Sequence, residues 1–411
     1  METTIAGIDV HKKVLMVVVV SRGAGEAKAG ARKRFGATAS ELSRLRLWLQ
    51  EQGVGEAVME STAQYWRSVW MELEPCMKLH LAQAFSNRAR RGRKQDFKDA
   101  ELLVKRLLAE ELILSFVPEP EQRGWRTMTR MKTQLARDRV RLHSQLECLL
   151  EEMRIKLSSV VSDLFGASGL RILRALAKGQ TDVEKLAALG SERLQCGKAQ
   201  LIDALNANPS AMHRRLLALY LERLDLIDQQ MDELDQLIAA AMRPHEDAVM
   251  RLAEVPGFGA DSAQQVIAEA GPEASAFDTA AQFTSWAGTC PGKQESAEKN
   301  QSGHSAKGNK YLRRVLTEVA QAAVKAKGSH YQNVFRRLLP RLGYKPALWA
   351  VVHRICRLVW KILHDGVRYI EQGLDRDPKA VKQRARTLAR ALRNLGYTVT
   401  LQPTQPNPVP R

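Results

Sequence analysis

Asp96 and Asp99 stand three residues apart just after the run Arg88–Lys94 (RARRGRK), in which Arg88, Arg90, Arg91, Arg93 and Lys94 are basic. A plain ion-pairing surface would intermix the signs. Here the basic run comes first and the acids follow, on one face of the helix that the sequence suggests, since residues three apart are helix neighbours. Asp9 lies in an early β-branched run and Glu60 ends a short apolar one. Four carboxylates brought together repel one another and raise each other's pKa. The arrangement becomes favourable around hard divalent cations, which take oxygen ligands and leave positions for phosphate and water. Two such ions roughly 3.5–4 Å apart polarise a phosphodiester and stabilise both its attacking and leaving oxygens. On this reading Asp9, Glu60, Asp96 and Asp99 are metal ligands for Mg²⁺, with Mn²⁺ as a substitute, and residues 88–94 neutralise flanking phosphates. Singly, each acid has an ordinary alternative: Asp96 as a helix cap, Asp99 as a partner of Lys98 or Arg106, Glu60 as an exposed strand end.

A second constellation lies far downstream. Residues 291–345 carry twelve Lys/Arg against three Glu, a net +9 that is half of the whole chain's +18. Ser296, Ser302 and Ser305 lie in its glycine-containing loop, and a serine hydroxyl becomes a nucleophile beside a base, a metal or a cationic surround. Lys299, Lys307, Lys310, Arg313 and Arg314 are the candidate phosphate contacts there. Just upstream, LAEVPGFGADSAQQVIAEAG (residues 252–271) has the form helix, Gly-h-Gly hairpin, helix. Gly257 and Gly259 would let backbone N–H groups meet phosphate oxygens without reading bases.

The elements that must position these groups follow from periodicity. Ile5–Val10, Lys13–Val20 and Ala27–Phe35 suggest a three-stranded meander. Ser40–Glu51 is helical, Ala57–Glu60 a strand, Tyr65–Leu73 a helix and Leu79–Ala84 a strand, with a helix after it. The order β-β-β-α-β-α-β-α is that of the ribonuclease H-like fold, in which strands one and four are neighbours. Asp9 then shares a face with Ile5 and Gly7, beside Glu60. From Arg123 to Met242 the pattern is helical. Leu217, Tyr220, Leu224, Ile227, Met231, Leu234, Ile238 and Ala241 make an a/d seam. Met128, Leu135, Leu142 and Leu149 repeat every seven, with Lys132 and Arg139 interrupting the facing positions. Arg243-Pro244 ends this stretch.

The expected organisation is therefore an α/β ribonuclease H-like N-terminal domain over 1–117, a helical coiled-coil or oligomerisation arm over 118–245 and a mainly α domain over 246–375. An extension over 376–411, closing with PTQPNPVPR, is expected to be partly disordered. Trp66, Trp70, Trp286, Trp349 and Trp360 sit on apolar helical faces and read as core.

Bulk composition narrows the partners. At 411 residues and a net charge of +18, the chain points to a polyanion, above all nucleic acid. Its longest apolar run, Val14–Val20, is far short of the roughly 20 residues that span a bilayer. Five scattered cysteines, with no CxxC pair, exclude a dense disulfide framework and familiar zinc spacings; they read as independent buried thiols in a reducing cytoplasm.

GIDVHKK (Gly7–Lys13), MESTAQYW (Met59–Trp66) and KQDFKDAELL (Lys94–Leu103) closely resemble the N-terminal motifs of the DEDD transposases of the insertion-sequence one-hundred-and-ten family, also called bridge recombinases. PGFG (Pro256–Gly259), FTSWAGTCPG (Phe283–Gly292), ESAEKNQSG (Glu295–Gly303) and KGNKYLRRVL (Lys307–Leu316) resemble that family's C-terminal domain. The resemblance implies a DNA recombinase whose RuvC-like site holds Mg²⁺. It also implies that Ser296 attacks the phosphodiester to give a covalent phosphoserine intermediate, with Ser302 the alternative. Donor and target DNA and a noncoding bridge RNA are the implied partners. The implied assembly is a homo-oligomer, a tetramer built as a dimer of dimers, in a prokaryotic cytoplasm and associated with the nucleoid. One departure is Glu298, an acid where the resembled pattern has a small residue. Two other readings remain at this stage: a junction-resolving nuclease using water, and a non-catalytic RNA- or DNA-binding protein.

Overall fold

A computed structural model describes residues 3–22, 27–60, 63–83, 97–190, 194–292, 294–296, 299–302 and 305–371, with 386, 389, 390, 393 and 400 beyond them. The run Arg88–Lys94, Asp96 and most of the extension 376–411 lie outside these residues. The chain forms two compact units, Met1–Pro118 and Glu119–Arg411.

In the first unit, β1 (Thr3–Val10), β2 (Val14–Arg22) and β3 (Ala27–Gly36) form an antiparallel meander. After α1 (Ala39–Glu51), β4 (Glu56–Glu60) pairs parallel to β1. After α2 (Trp66–Leu73), β5 (Lys78–Ala82) pairs parallel to β4. The spatial order β3-β2-β1-β4-β5 is the ribonuclease H-like arrangement. The continuous apolar run of β2 has its reason here. Val17 and Val19 face α1 and α2 with Ile8, Met59, Leu45 and Val69, while Val18 and Val20 face the other side. A strand covered on both faces has no polar side to alternate with. The second face is covered by α3 (Lys98–Leu108), whose Ala100, Leu103 and Val104 pack on Ile5, Val18 and Val58.

The second unit is helical. It opens with α4 (Pro120–Glu152), continues through α5 (Leu157–Val160), α6 (Ala167–Ala177), α7 (Val183–Ala188) and α8 (Lys198–Leu205), and returns along α9 (Ala211–Ala241). The pairs Lys132 with Asp235 and Arg139 with Asp228 show α4 and α9 running antiparallel. Leu217, Leu224, Ile227, Leu234 and Ile238 of the expected seam are buried, and Leu142, Leu146 and Leu149 meet the first three in a core shared with α6, α7 and α8. Lys132 and Arg139, which interrupt the apolar repeat, sit at the seam as ion-pair partners. After a short 3₁₀ turn come α10 (Glu246–Ala253), α11 (Ala260–Ala270) and α12 (Ala280–Ala287). A hairpin of β6 (Gln294–Ser296) and β7 (Lys299–Ser302) follows, then α13 (Lys310–Ala323), α14 (His330–Leu342) and α15 (Tyr344–His364).

The expectation of buried thiols holds for Cys356 alone: Cys76 and Cys148 are exposed, Cys196 and Cys290 intermediate. Burial pushes the Cys356 thiol up to about 12, so it stays protonated and inert.

Candidate functional site

The carboxylates of the first unit are positioned by strand register. β1 and β4 pair from Ile5↔Glu56 through Ile8↔Met59, and one further step sets Asp9 opposite Glu60. Side chains two apart share a sheet face. Asp9 therefore lies on the side of Ile5 and Gly7, and Glu60 on that of Val58, which is the face covered by α3. The Asp9 side chain is 14% exposed and its Oδ2 lies 3.0 Å from Nε2 of the more open His11.

Gly7 is what lets α3 descend onto this face. A Cβ at Gly7 would stand 2.1 Å from the carbonyl oxygen of Ala100 and 2.8 Å from a methyl carbon of Val104. Gly7 is two residues from Asp9, and Asp99 is one residue from Ala100. The contact that seats the helix thus fixes these two acids relative to one another. Asp99 is half-buried in the first turn of α3, where the helix dipole favours negative charge. Its neighbour Glu101 is differently engaged, with Arg32 at 3.1 Å and Lys105 at 2.9 Å. Gly7→Ala is expected to lift α3 from the sheet, destabilise the unit by about 1–3 kcal/mol and remove strand cleavage. Urea unfolding and a cleavage assay check this; native values in both would mean the helix tolerates the methyl group.

Asp9, Glu60 and Asp99 offer hard oxygen donors, the set that suits Mg²⁺ or Mn²⁺ rather than a soft metal. Among the described residues no three His, Cys, Asp or Glu stand close enough to hold an ion by themselves. Asp96 lies outside the described residues.

In the second unit Ser296 and Ser302 belong to the β6–β7 hairpin, and Ser305 follows it. Ser296 is paired with Lys299, and Ser302 with Gln294. Where the sequence suggested a loop, short strand pairing organises the segment. Its base is closed by two glycines that sequence reading did not single out. Gly288 ends α12 in the left-handed region at φ 72°, and a Cβ there would meet the backbone N of Gly308 at 2.7 Å. A Cβ on Gly308 would in turn stand 2.4 Å from the Ala287 carbonyl. The two backbones touch, so neither position admits a side chain.

The helix that leaves the hairpin is also anchored. Asn309 caps α13, accepting from the backbone N–H groups of Tyr311 and Leu312 at 3.0 and 3.2 Å. Its Nδ2 donates to Glu269 at 2.7 Å. Glu269, 2% exposed, accepts two parallel hydrogen bonds from Arg130 at 2.8 Å each and lies 3.4 Å from Arg126. Burial lowers the Arg126 guanidinium to about 10, still charged at neutral pH. This buried acid ties α4 and α11 to the start of α13. Partners 139 residues apart leave no local signal; the only hint is an acid inside the apolar stretch VIAEAG.

The candidate phosphate contacts differ in their surroundings. Lys307 and Lys310 are exposed. Arg313 donates to the Ala306 carbonyl at 2.8 Å and covers the Trp349 ring at 4.8 Å. Arg314 is turned to Thr133 and Gln265, 3.0 Å each. Gly257, at φ 93°, lies against α13, where a Cβ would stand 2.3 Å from the Val319 carbonyl. The Gly259 N–H already donates to Ser262 Oγ at 2.9 Å. The side chain of Lys299 lies outside the described residues.

Two family models match the chain. A DEDD transposase model of the IS110 type covers residues 6–155, and one for transposases of the IS116/IS110/IS902 family covers residues 249–336. The chain belongs to the IS110 family of transposases. The first match carries the sheet with Asp9, Glu60 and Asp99, the second the hairpin and α13. A relative from Pseudomonas aeruginosa named "Probable family 20 transposase" is 26% identical over 306 residues, 74% of this chain and 81% of that protein. A Sinorhizobium fredii protein named "Putative transposase y4pF/y4sB" is 26% identical over 181 residues, 42% of this chain and 46% of its own. As an IS110-family enzyme, the chain is a DNA transposase, with DNA as its substrate. DEDD domains of this kind work with divalent metal ions. No described helix is long and apolar enough to cross a membrane.

Proposed function

We propose that this transposase cuts and rejoins donor and target DNA through a covalent phosphoserine intermediate. The observation that carries the reading is the register that sets Asp9 opposite Glu60 beneath the first turn of α3, within a domain matched by the DEDD model. Asp9, Glu60, Asp99 and Asp96 would hold Mg²⁺, which when bound supplies Lewis-acid polarisation of the phosphodiester. Ser296 Oγ attacks phosphorus, forming a P–O bond as one bridging P–O bond breaks. The departing sugar oxygen ends as a hydroxyl, taking up the proton that serine gives up. Resealing reverses the step with a hydroxyl from a different strand. Lys307 and Lys310 hold flanking phosphates, and the residues 88–94 do the same at the acidic site.

The family resemblance assigns target choice to a noncoding bridge RNA and the working assembly to a tetramer, a dimer of dimers in the nucleoid of a prokaryote. The paired α4 and α9 suit a coiled-coil oligomerisation arm. Besides its inward seam, α9 exposes Leu216, Leu219, Leu226 and Leu237, a second apolar stripe.

A suicide DNA substrate, nicked so that the leaving fragment diffuses away, tests the chemistry. The native chain is expected to accumulate a protein–DNA adduct that maps to Ser296, and Ser296→Ala to form none. An adduct that survives Ser296→Ala but not Ser302→Ala moves the nucleophile to Ser302. Free 5′-phosphate ends with no adduct mean that water attacks.

A further inference from the structure

A cavity of about 750 Å³ opens between the two ends of the serine hairpin and the first half of α15. Thr289 and Pro291, just before the hairpin, form one wall with Ser305, just after it; Trp349 and His353, one turn apart on α15, form the other. Trp349 thus departs from the core role that its apolar helix face suggests. One side of its indole is covered by the Arg313 guanidinium at 4.8 Å.

Lys345, Arg354 and Arg357 also line the cavity, and its described lining residues include no acid. The wall thus sets an aromatic ring among cationic side chains.

We propose that this cavity receives one base of the DNA strand lying beside the serine hairpin, splayed out of its stack. The base lies against the Trp349 indole, and the phosphates beside it meet Arg354 and Arg357. The volume falls within the roughly 300–1,000 Å³ of ligand pockets and exceeds what a solvated cation needs. Every nucleobase offers a flat apolar face to an aromatic ring, and the cationic rim selects an anionic chain over a neutral ligand. The assignment rests on DNA being the substrate and not on Ser296, so failure of the serine adduct would leave it standing.

The test compares binding of a (dT)12 single strand with an abasic dodecamer that keeps the same phosphates. The full-length native chain is expected to prefer (dT)12 by about tenfold, the scale of one base–aromatic contact. Trp349→Leu is expected to erase that preference while leaving abasic binding unchanged. As a check that needs no variant, a dodecamer carrying 5-iodouracil should photo-crosslink to the peptide containing Trp349. An undiminished base preference in Trp349→Leu, or crosslinks confined to other peptides, would overturn the proposal. So would a Trp349 dependence shown by (rU)12 and absent for (dT)12, because the occupant would then be RNA.

Discussion

Glu269→Ala is expected to destabilise the second unit by about 3–5 kcal/mol, the scale seen when one partner of a buried ion pair is removed. The carboxylate is 2% exposed and serves three donors from two other elements: Arg130, Arg126 and Asn309. Its loss takes the carboxylate from the largely buried Arg126 and the half-buried Arg130. Arg126, whose side chain is 11% exposed, keeps the carbonyls of residues 268 and 269, and Arg130 keeps its stacking on Tyr311. The same change frees the Asn309 cap, so α13 should fray at the end where the hairpin joins it. Glu269→Gln keeps the shape and two acceptor lone pairs but loses the charge, and should fall between the two. Urea unfolding of the full chain measures both. A loss under about 1 kcal/mol for the alanine variant would mean that the node is hydrated and contributes little.

Asp9→Asn and Glu60→Gln are expected to lower strand cleavage by a factor on the order of 10³ or more, since each removes a charged metal ligand while keeping its shape. Folding should hardly change. The Asp9 contact with a His11 side chain that is 56% exposed is worth at most about 1 kcal/mol. Relief of repulsion among the acids works in the opposite direction. Cleavage assays and melting curves, run on the same preparations, separate the two roles. Residual activity together with a loss of several kcal/mol would make these acids structural.

Much of the first unit could be read in the chain because its signals are local. The β-branched run of β2 and the short apolar run before Glu60 each declare a strand, and strand order then fixes which acids are neighbours. The long seam on α9 was equally open to reading, since Leu217, Leu224, Ile227, Leu234 and Ile238 repeat with one period. What stayed hidden depends on contacts between distant segments. Lys132 and Arg139 look like interruptions until Asp235 and Asp228 are set across from them. Gly288 and Gly308 look like ordinary turn residues until their backbones meet. Trp349 has the periodicity of a core residue, and no spacing rule distinguishes a packed ring from one that lines a cavity. Ser296 is recognised by motif alone; the hairpin around it is too short to leave a β pattern.

The central claim is a divalent-ion site built from the acids of the N-terminal sheet. Mn²⁺ binding to the full-length chain on DNA carrying the element ends, followed by electron paramagnetic resonance, tests it most directly. The native protein should hold Mn²⁺ that Mg²⁺ displaces, and the Asp9→Asn, Glu60→Gln double variant should release it while still binding the DNA. Equal Mn²⁺ retention by the two proteins would contradict the account.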